Sequence, residues 1–97
     1  MLKIEPGGEG VVVIAGRLDA AQCPAAQAFL EHVEGAVTLD CRGLEYISSA
    51  GLGALLKTQK RLTASGGKLR LVGVSHHLQD IFRYSGFDQI FEIEPAG

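Results

Sequence analysis

The chain has 97 residues, nine Lys and Arg against eleven Asp and Glu, and a formal net charge of −2. That length holds a single domain, residues 1–97, which buries roughly 60 to 65% of its unfolded surface and has no room for a second core. Scattered basic residues in an acidic chain exclude direct nucleic-acid binding, because a phosphate backbone is held by clustered Lys and Arg.

In chain order, Leu2 to Glu5 reads as a short strand, Pro6-Gly7-Gly8 as a turn, and Gly10 to Ala15 as a second strand, so a hairpin opens the fold. The second strand, Gly-Val-Val-Val-Ile-Ala, is continuously apolar, as expected of a central strand with little solvent on either face. Cys23-Pro24 opens a helix, with Pro in the first turn and Ala25, Ala26, Phe29, Leu30 and Val33 at helical spacing; it closes near Gly35. A strand over Ala36 to Asp40 sets Val37 and Leu39 against Thr38 and Asp40. A later strand, Lys68 to Val72, sets Leu69 and Leu71 against Lys68 and Arg70.

Between those strands, Ser49 to about Ala64 carries Leu52, Leu55, Leu56 and Leu62 on one stripe and Lys57, Lys60 and Arg61 elsewhere, an amphipathic helix that Ser65-Gly66-Gly67 ends. A third helix starts at His76 or His77 with Ser75 as cap, turns Leu78, Ile81 and Phe82 inward, ends at Tyr84 and is stopped by Gly86. A last strand runs from Gln89 to Ile93. The order is β-β-α-β-α-β-α-β, with two right-handed β-α-β crossovers giving parallel pairs. A doubly wound sheet needs apolar residues on both faces of its strands, and these alternating strands offer one. The expected fold class is α/β, a mixed sheet of four to five strands with helices mainly on one face.

Chemistry concentrates at residues 39–56, LDCRGLEYISSAGLGALL, where two serines stand at a helix mouth. First-turn amides lack intrahelical partners and the macrodipole is positive there, so a serine fits as a cap and an anion is tolerated. Two readings of Ser48 and Ser49 stand side by side here: one of them merely caps the helix, or Ser49 serves as a charge switch. The same site half-matches a hydrolase elbow, but position 47 is Ile where the elbow needs Gly, and His76 and His77 are the only histidines after the serine, so no catalytic residue is assigned.

Gly66-Gly67-Lys68 lacks two of the four fixed positions of a phosphate-binding loop, with Leu62 and Leu69 in their places, so no nucleotide cofactor is expected. His76 and His77 with Cys23 and Cys41 do not have the spacing of a zinc site, and adjacent helical residues diverge by about 100°, so no metal is expected. Asp19 with Gln22 matches a capping box for the first helix. Two cysteines make no disulfide framework and point to a reducing compartment. No apolar run reaches the ~18 residues of a membrane span, and the residues around Lys3, Glu5 and Pro6 lack a signal-peptide core; the expected location is cytoplasmic, without membrane insertion.

The run Leu39, Asp40, Leu44, Tyr46, Ile47, Ser48, Ser49, Ala50, Gly51, Leu52 resembles the signature of STAS domains, and in particular of small bacterial anti-sigma factor antagonists. Gly16-Arg17-Leu18-Asp19, Ser65-Gly66-Gly67, Ser85-Gly86-Phe87 and Phe91 extend the resemblance over essentially the whole chain. It implies a phosphoacceptor at Ser49, with Ser48, where several family members carry Asp, as the second candidate. It also implies a partner-binding face formed by Arg17, Leu18, Asp19, Ser48, Ser49, Ala50 and Gly51. The implied role is that of a binding module, not an enzyme. Its unphosphorylated form binds an anti-sigma factor with a histidine-kinase-like ATPase fold, that partner or a related serine kinase phosphorylates it, and a phosphatase resets it. The alternative is a STAS subunit on the ATPase of a membrane transporter, such as one for phospholipids.

Overall fold

The computed structural model describes residues 1–96. Strand β1 (Leu2–Gly8) pairs antiparallel with β2 (Val11–Leu18); helix α1 (Cys23–Leu30), strand β3 (Ala36–Ile47), helix α2 (Ser49–Ala64), strand β4 (Lys68–Val74), helix α3 (His76–Tyr84), a 3-10 turn (Phe87–Gln89) and strand β5 (Glu92–Pro95) follow. The five strands lie side by side in chain order, and β2/β3, β3/β4 and β4/β5 are all parallel. There are thus three parallel β-α-β units rather than the two expected.

One face of the sheet holds the core. Val12, Ile14 and Leu18 of β2, Val37, Leu39, Cys41, Leu44 and Ile47 of β3, and Leu69, Leu71 and Val74 of β4 form one buried cluster with Ala26, Leu30, Leu52, Leu55, Leu62, Leu78 and Phe82 of the three helices. The alternating strands therefore read correctly, and the mixed α/β sheet with one-sided helices is as expected. Phe91 closes the far end, with its ring edge-on to Phe82 and tilted to Phe87, each 5.9 Å away. The opposite face carries charges in pairs: Lys68 with Glu92 at 3.2 Å, Arg70 with Glu94, and Lys3 with Glu5 at 3.1 Å.

Several boundaries differ from the sequence reading. Strand β2 alternates, with Val12 and Ile14 buried and Val11, Val13 and Ala15 half-buried. A continuous apolar run cannot report which of its faces is covered, and no helix covers this one. Residues Pro6, Gly7 and Gly8 continue β1, and the turn falls one step later, at Glu9 and Gly10. Helix α1 ends at Leu30, not near Gly35. Just past its end, the His32 and Val33 amides donate to the carbonyls of Phe29 and Leu30, and Nη2 of Arg61 donates to the carbonyls of Leu30 at 2.8 Å and of Val33, beyond the helix, at 2.6 Å. Strand β5 begins at Glu92 because residues 87–89 wind into the 3-10 turn.

The largest difference is β3, which runs on from Asp40 to Ile47 where a loop was expected. Asp40 lies opposite Val13 and Gly43 opposite Ala15, so β3 uses three steps against two of β2. This is a bulge. The Asp40 carboxylate holds it by accepting the Arg42 amide at 3.1 Å, and a Cβ on Gly43 would lie 2.8 Å from that of Ala15. A second shift between Gly16 and Arg17 brings Arg17 opposite Tyr46 and Leu18 opposite Ile47. The bulges carry the strand through Arg42-Gly43 and deliver its end directly to α2.

Both cysteines are free, but only Cys41 lies in the core. Burial first, and the neighbouring Asp40 carboxylate second, push its thiol up to about 12. Alkylation of the native protein at mildly alkaline pH should therefore modify the half-buried Cys23 and leave Cys41 untouched until the chain unfolds. Peptide mass mapping with and without denaturant reads this directly, and native labelling of Cys41 would contradict the burial.

Candidate functional site at the mouth of helix α2

Parallel strands leave their C-terminal ends and the following helix N-termini on one rim, where open α/β sheets place their sites. Here β2 ends at Leu18 and β3 ends opposite it at Ile47. The Ser48 amide donates to the Leu18 carbonyl at 2.9 Å, and the Ser48 hydroxyl donates to the same oxygen at 3.2 Å. Ser48 Oγ also accepts the Gly51 amide at 3.1 Å, while the Ser48 carbonyl accepts the Leu52 amide at 2.9 Å. Ser48, in extended conformation, is thus the N-cap of α2 and its tether to β2.

Ser49 is the first residue of α2 and is exposed. Among the described residues its hydroxyl has no hydrogen-bond partner. The two serines therefore have different tasks: one hydroxyl is used as both donor and acceptor, and the other is available. The first turn of α2 contains no acidic side chain, so the positive end of the helix is not compensated locally.

Gly51 is buried, and a Cβ there would meet Ile47 Cγ1 at 2.8 Å and both Cγ and the carbonyl oxygen of Leu18 at 2.9 Å. Backbone lies at that distance, so no side chain can yield, and glycine is required for α2 to sit so close to β2. Ala50 is exposed beside Ser49. Asp19 does not complete the expected capping box. Its carboxylate accepts the Gln22 amide at 3.1 Å, but Gln22 is itself the N-cap of α1 and makes no side-chain cap bond. Asp19 instead shapes the turn between β2 and α1, with the Cys23 thiol donating to its carbonyl at 3.2 Å.

All seven residues of the expected partner-binding face are thereby gathered at the β2 and β3 ends and the α2 mouth, although Leu18 is fully buried and contributes its carbonyl alone. The sequence reading did not place Tyr46 beside the expected face, where the structure sets it next to Arg17. The Arg17 guanidinium lies 4.4 Å from the centroid of the Tyr46 ring, a cation–π pair. The signal was present in the pattern, since Arg17 and Tyr46 each precede an inward apolar residue. It required the β2/β3 register to be read. His76 and His77 are exposed at the start of α3, where Ser75 Oγ accepts the Leu78 amide at 3.3 Å, and Cys41 lies in the core. Among the described residues, no group of three His, Cys, Asp or Glu side chains is positioned to hold a metal ion.

The chain is thus a one-sided mixed α/β sheet that presents an exposed serine, Ser49, at the capped mouth of α2. A family model described as "Mlab, STAS domain" matches residues 3–93, and the chain belongs to the STAS domain family. Among its relatives, the anti-sigma-B factor antagonist of Listeria monocytogenes is 32% identical over 87 residues, 86% of this chain and 76% of that protein. BtrV of Bordetella bronchiseptica is 42% identical over 60 residues, 62% of this chain but only about half, 52%, of that relative.

Among solved structures, the phosphorylated form of the Bacillus cell fate determinant SpoIIAA superposes with a TM-score of 0.69 at 21% identity, covering 96% of this chain and 90% of that one. The unphosphorylated form of SpoIIAA, an anti-sigma factor antagonist, gives 0.75 at 21% identity, covering 96% and 87%. A sulfate transporter family protein from Wolinella succinogenes gives 0.69 at 20% identity, covering 93% and 80%. These likenesses show the fold. No helix among the described residues is long and apolar enough to cross a membrane.

The geometry separates the two serines by experiment. Ser48→Ala removes a cap and a tether at once and should lower stability by about 1 to 2 kcal/mol. Ser49→Ala should stay within about 0.5 kcal/mol of the parent. Urea unfolding followed by circular dichroism compares them, and equal losses would mean that the hydroxyls share the capping role.

Proposed function

We propose that this chain is an anti-sigma factor antagonist whose unphosphorylated form binds an anti-sigma factor, so that the sigma factor is released, and which phosphorylation of Ser49 switches off. The observation that carries the proposal is the exposed, unengaged Ser49 hydroxyl beside a fully engaged Ser48. Relatives named as antagonists of anti-sigma-B factor at 32% identity support the role, and SpoIIAA, solved in both phosphorylated and unphosphorylated forms, supports the switch on this fold. The partner in this reading carries a histidine-kinase-like ATPase fold and acts as the serine kinase, with ATP and Mg²⁺ on its side of the interface. A separate phosphatase restores the hydroxyl. The chain itself is a cytoplasmic binding module with no catalytic residue and no cofactor.

The electrostatics suit such a switch. A phosphate adds about −1.5 to −2 charge near neutral pH. At the first residue of α2 that charge meets the positive helix end, so the domain keeps its fold. In an interface arranged around a neutral hydroxyl the same charge is desolvated against the partner; a penalty of about 3 kcal/mol already weakens binding by roughly a hundredfold.

A second reading, a STAS subunit seated on the ATPase of a membrane transporter such as a phospholipid system, is supported by the fold shared with the sulfate transporter family protein. It requires no phosphate cycle at Ser49. Incubation with the cognate kinase and ATP, followed by mass spectrometry, should place a single phosphate on Ser49. Calorimetric titration should show Ser49→Ala binding like the parent. Ser49→Asp, with about one charge instead of nearly two, should be weakened only in part. Phosphate on Ser48 would overturn the assignment of the acceptor to Ser49, and unchanged affinity in a natively folded Ser49→Asp would overturn the switch and favour the transporter reading or a simple cap.

A further inference from the structure

A second recess lies at the other end of the parallel strands from Ser49. There β2 begins beside the start of β3, with Val11 opposite Thr38 and the Gly10 carbonyl accepting the Thr38 amide at 2.8 Å. A groove of about 400 Å³ lies between this end of the β1/β2 hairpin and the segment that follows α1. That volume falls within the range of small-molecule sites, ~300 to 1,000 Å³.

The groove is a product of the fold. Helix α1 stops at Leu30, and Arg61 of α2 holds the carbonyls of Leu30 and Val33, so the segment after α1 is fastened to α2 and not to the hairpin. Val12 and Val37, both buried, line the groove from the sheet, and Pro6 lines it from β1. Phe29 and Val33 line it from the helix side; both pack against the core yet remain half-buried. An apolar lining of this kind receives a hydrocarbon or aromatic body.

The fixed charge on the lining is negative. Glu34 is exposed in it and, among the described residues, has no ion-pair partner; His32, also exposed, is the other titratable side chain there. No Lys or Arg lines the groove. Glu9, on the hairpin turn, is exposed and unpaired as well, whereas Glu31 faces the separate cleft between α1 and α2 that Lys57 and Arg61 line. Of the cations that reach the segment after α1, Arg61 is engaged by two carbonyls, and Lys68, whose amide meets the Gly35 carbonyl at 3.2 Å, is paired with Glu92.

An aromatic ring and an unpaired carboxylate on one apolar groove suit an organic cation, since the face of Phe29 attracts positive charge and Glu34 neutralises it. An organic anion would find Glu34 and no basic side chain to offset it. We infer that this groove is a binding site for a small hydrophobic amine, with its apolar body against Val12, Phe29 and Val37 and its ammonium group at Glu34. The site is separate from the Ser49 rim, and the inference does not rest on the anti-sigma reading.

The test is a titration of the full chain, followed by amide proton–nitrogen correlation spectra, with phenylbutylamine and with phenylbutyrate, which share a hydrocarbon body and differ in charge. Phenylbutylamine should move the amides of Gly10, Phe29, Val33 and Glu34 saturably. Phenylbutyrate should bind at least about threefold more weakly, as expected when one exposed carboxylate changes from attraction to repulsion. Glu34→Gln, a change at an exposed side chain, should bring the two probes within about twofold of each other. Val33→Phe, which fills the groove, should abolish the shifts, and Glu34→Gln decides the matter where that variant does not fold. Silence to both probes, equal binding of the two by the parent chain, or a preference retained in Glu34→Gln overturns the inference. Movement of the same amides when the protein alone is concentrated overturns it too, because the occupant is then a second copy of the chain.

Discussion

The Leu18 carbonyl is the point on which the site depends. It closes β2, lies in the fully buried part of the sheet, and receives both the amide and the hydroxyl of Ser48. A buried carbonyl must find partners or forfeit its solvation, so this oxygen fixes where β3 must end and where α2 must begin. Gly51 completes the constraint, because only a residue without Cβ lets the first turn of the helix settle against Leu18 and Ile47. Ser49 follows as the next residue outward, held by a framework that does not use its hydroxyl.

A phosphate at Ser49, as proposed, would change the charge of this site without changing its shape. The helix mouth has no acidic residue of its own, and its cap is already satisfied by a neutral hydroxyl. Added negative charge therefore replaces no existing contact. The consequence is felt by whatever packs on the rim, since the energetic effect of a phosphate grows as water is removed around it. The stability of the domain and its affinity for a partner are thus separable quantities, which is what repeated switching requires.

The one-sided sheet explains why the rim and α2 are left to do this work. On the uncovered face, Lys68 and Arg70 are neutralised by Glu92 and Glu94 across β4 and β5, and Lys3 by Glu5 along β1. The edge strands carry Pro6, Lys3 and Pro95, and β5 spans only four residues, features that discourage further strand pairing. Away from that face, Arg17 is stacked on Tyr46 at the end of β2, and Lys57 and Lys60 are exposed along α2.

The amino-acid sequence by itself determined the element order, the one-sided core and the α2 boundaries, because alternation in β3 and β4 and the leucine stripe of α2 are local patterns that burial merely completes. It also placed the two serines at a helix mouth. What it could not give were quantities set between segments far apart in the chain. The end of α1 depends on Arg61, 31 residues beyond Leu30. The length of β3 depends on bulges defined only against β2, and the covered face of β2 depends on where the helices lie. Assignment of the cap to Ser48 and the free hydroxyl to Ser49 likewise waited for the fold, since adjacent serines are chemically identical until the carbonyl of Leu18, 30 residues earlier in the chain, distinguishes them.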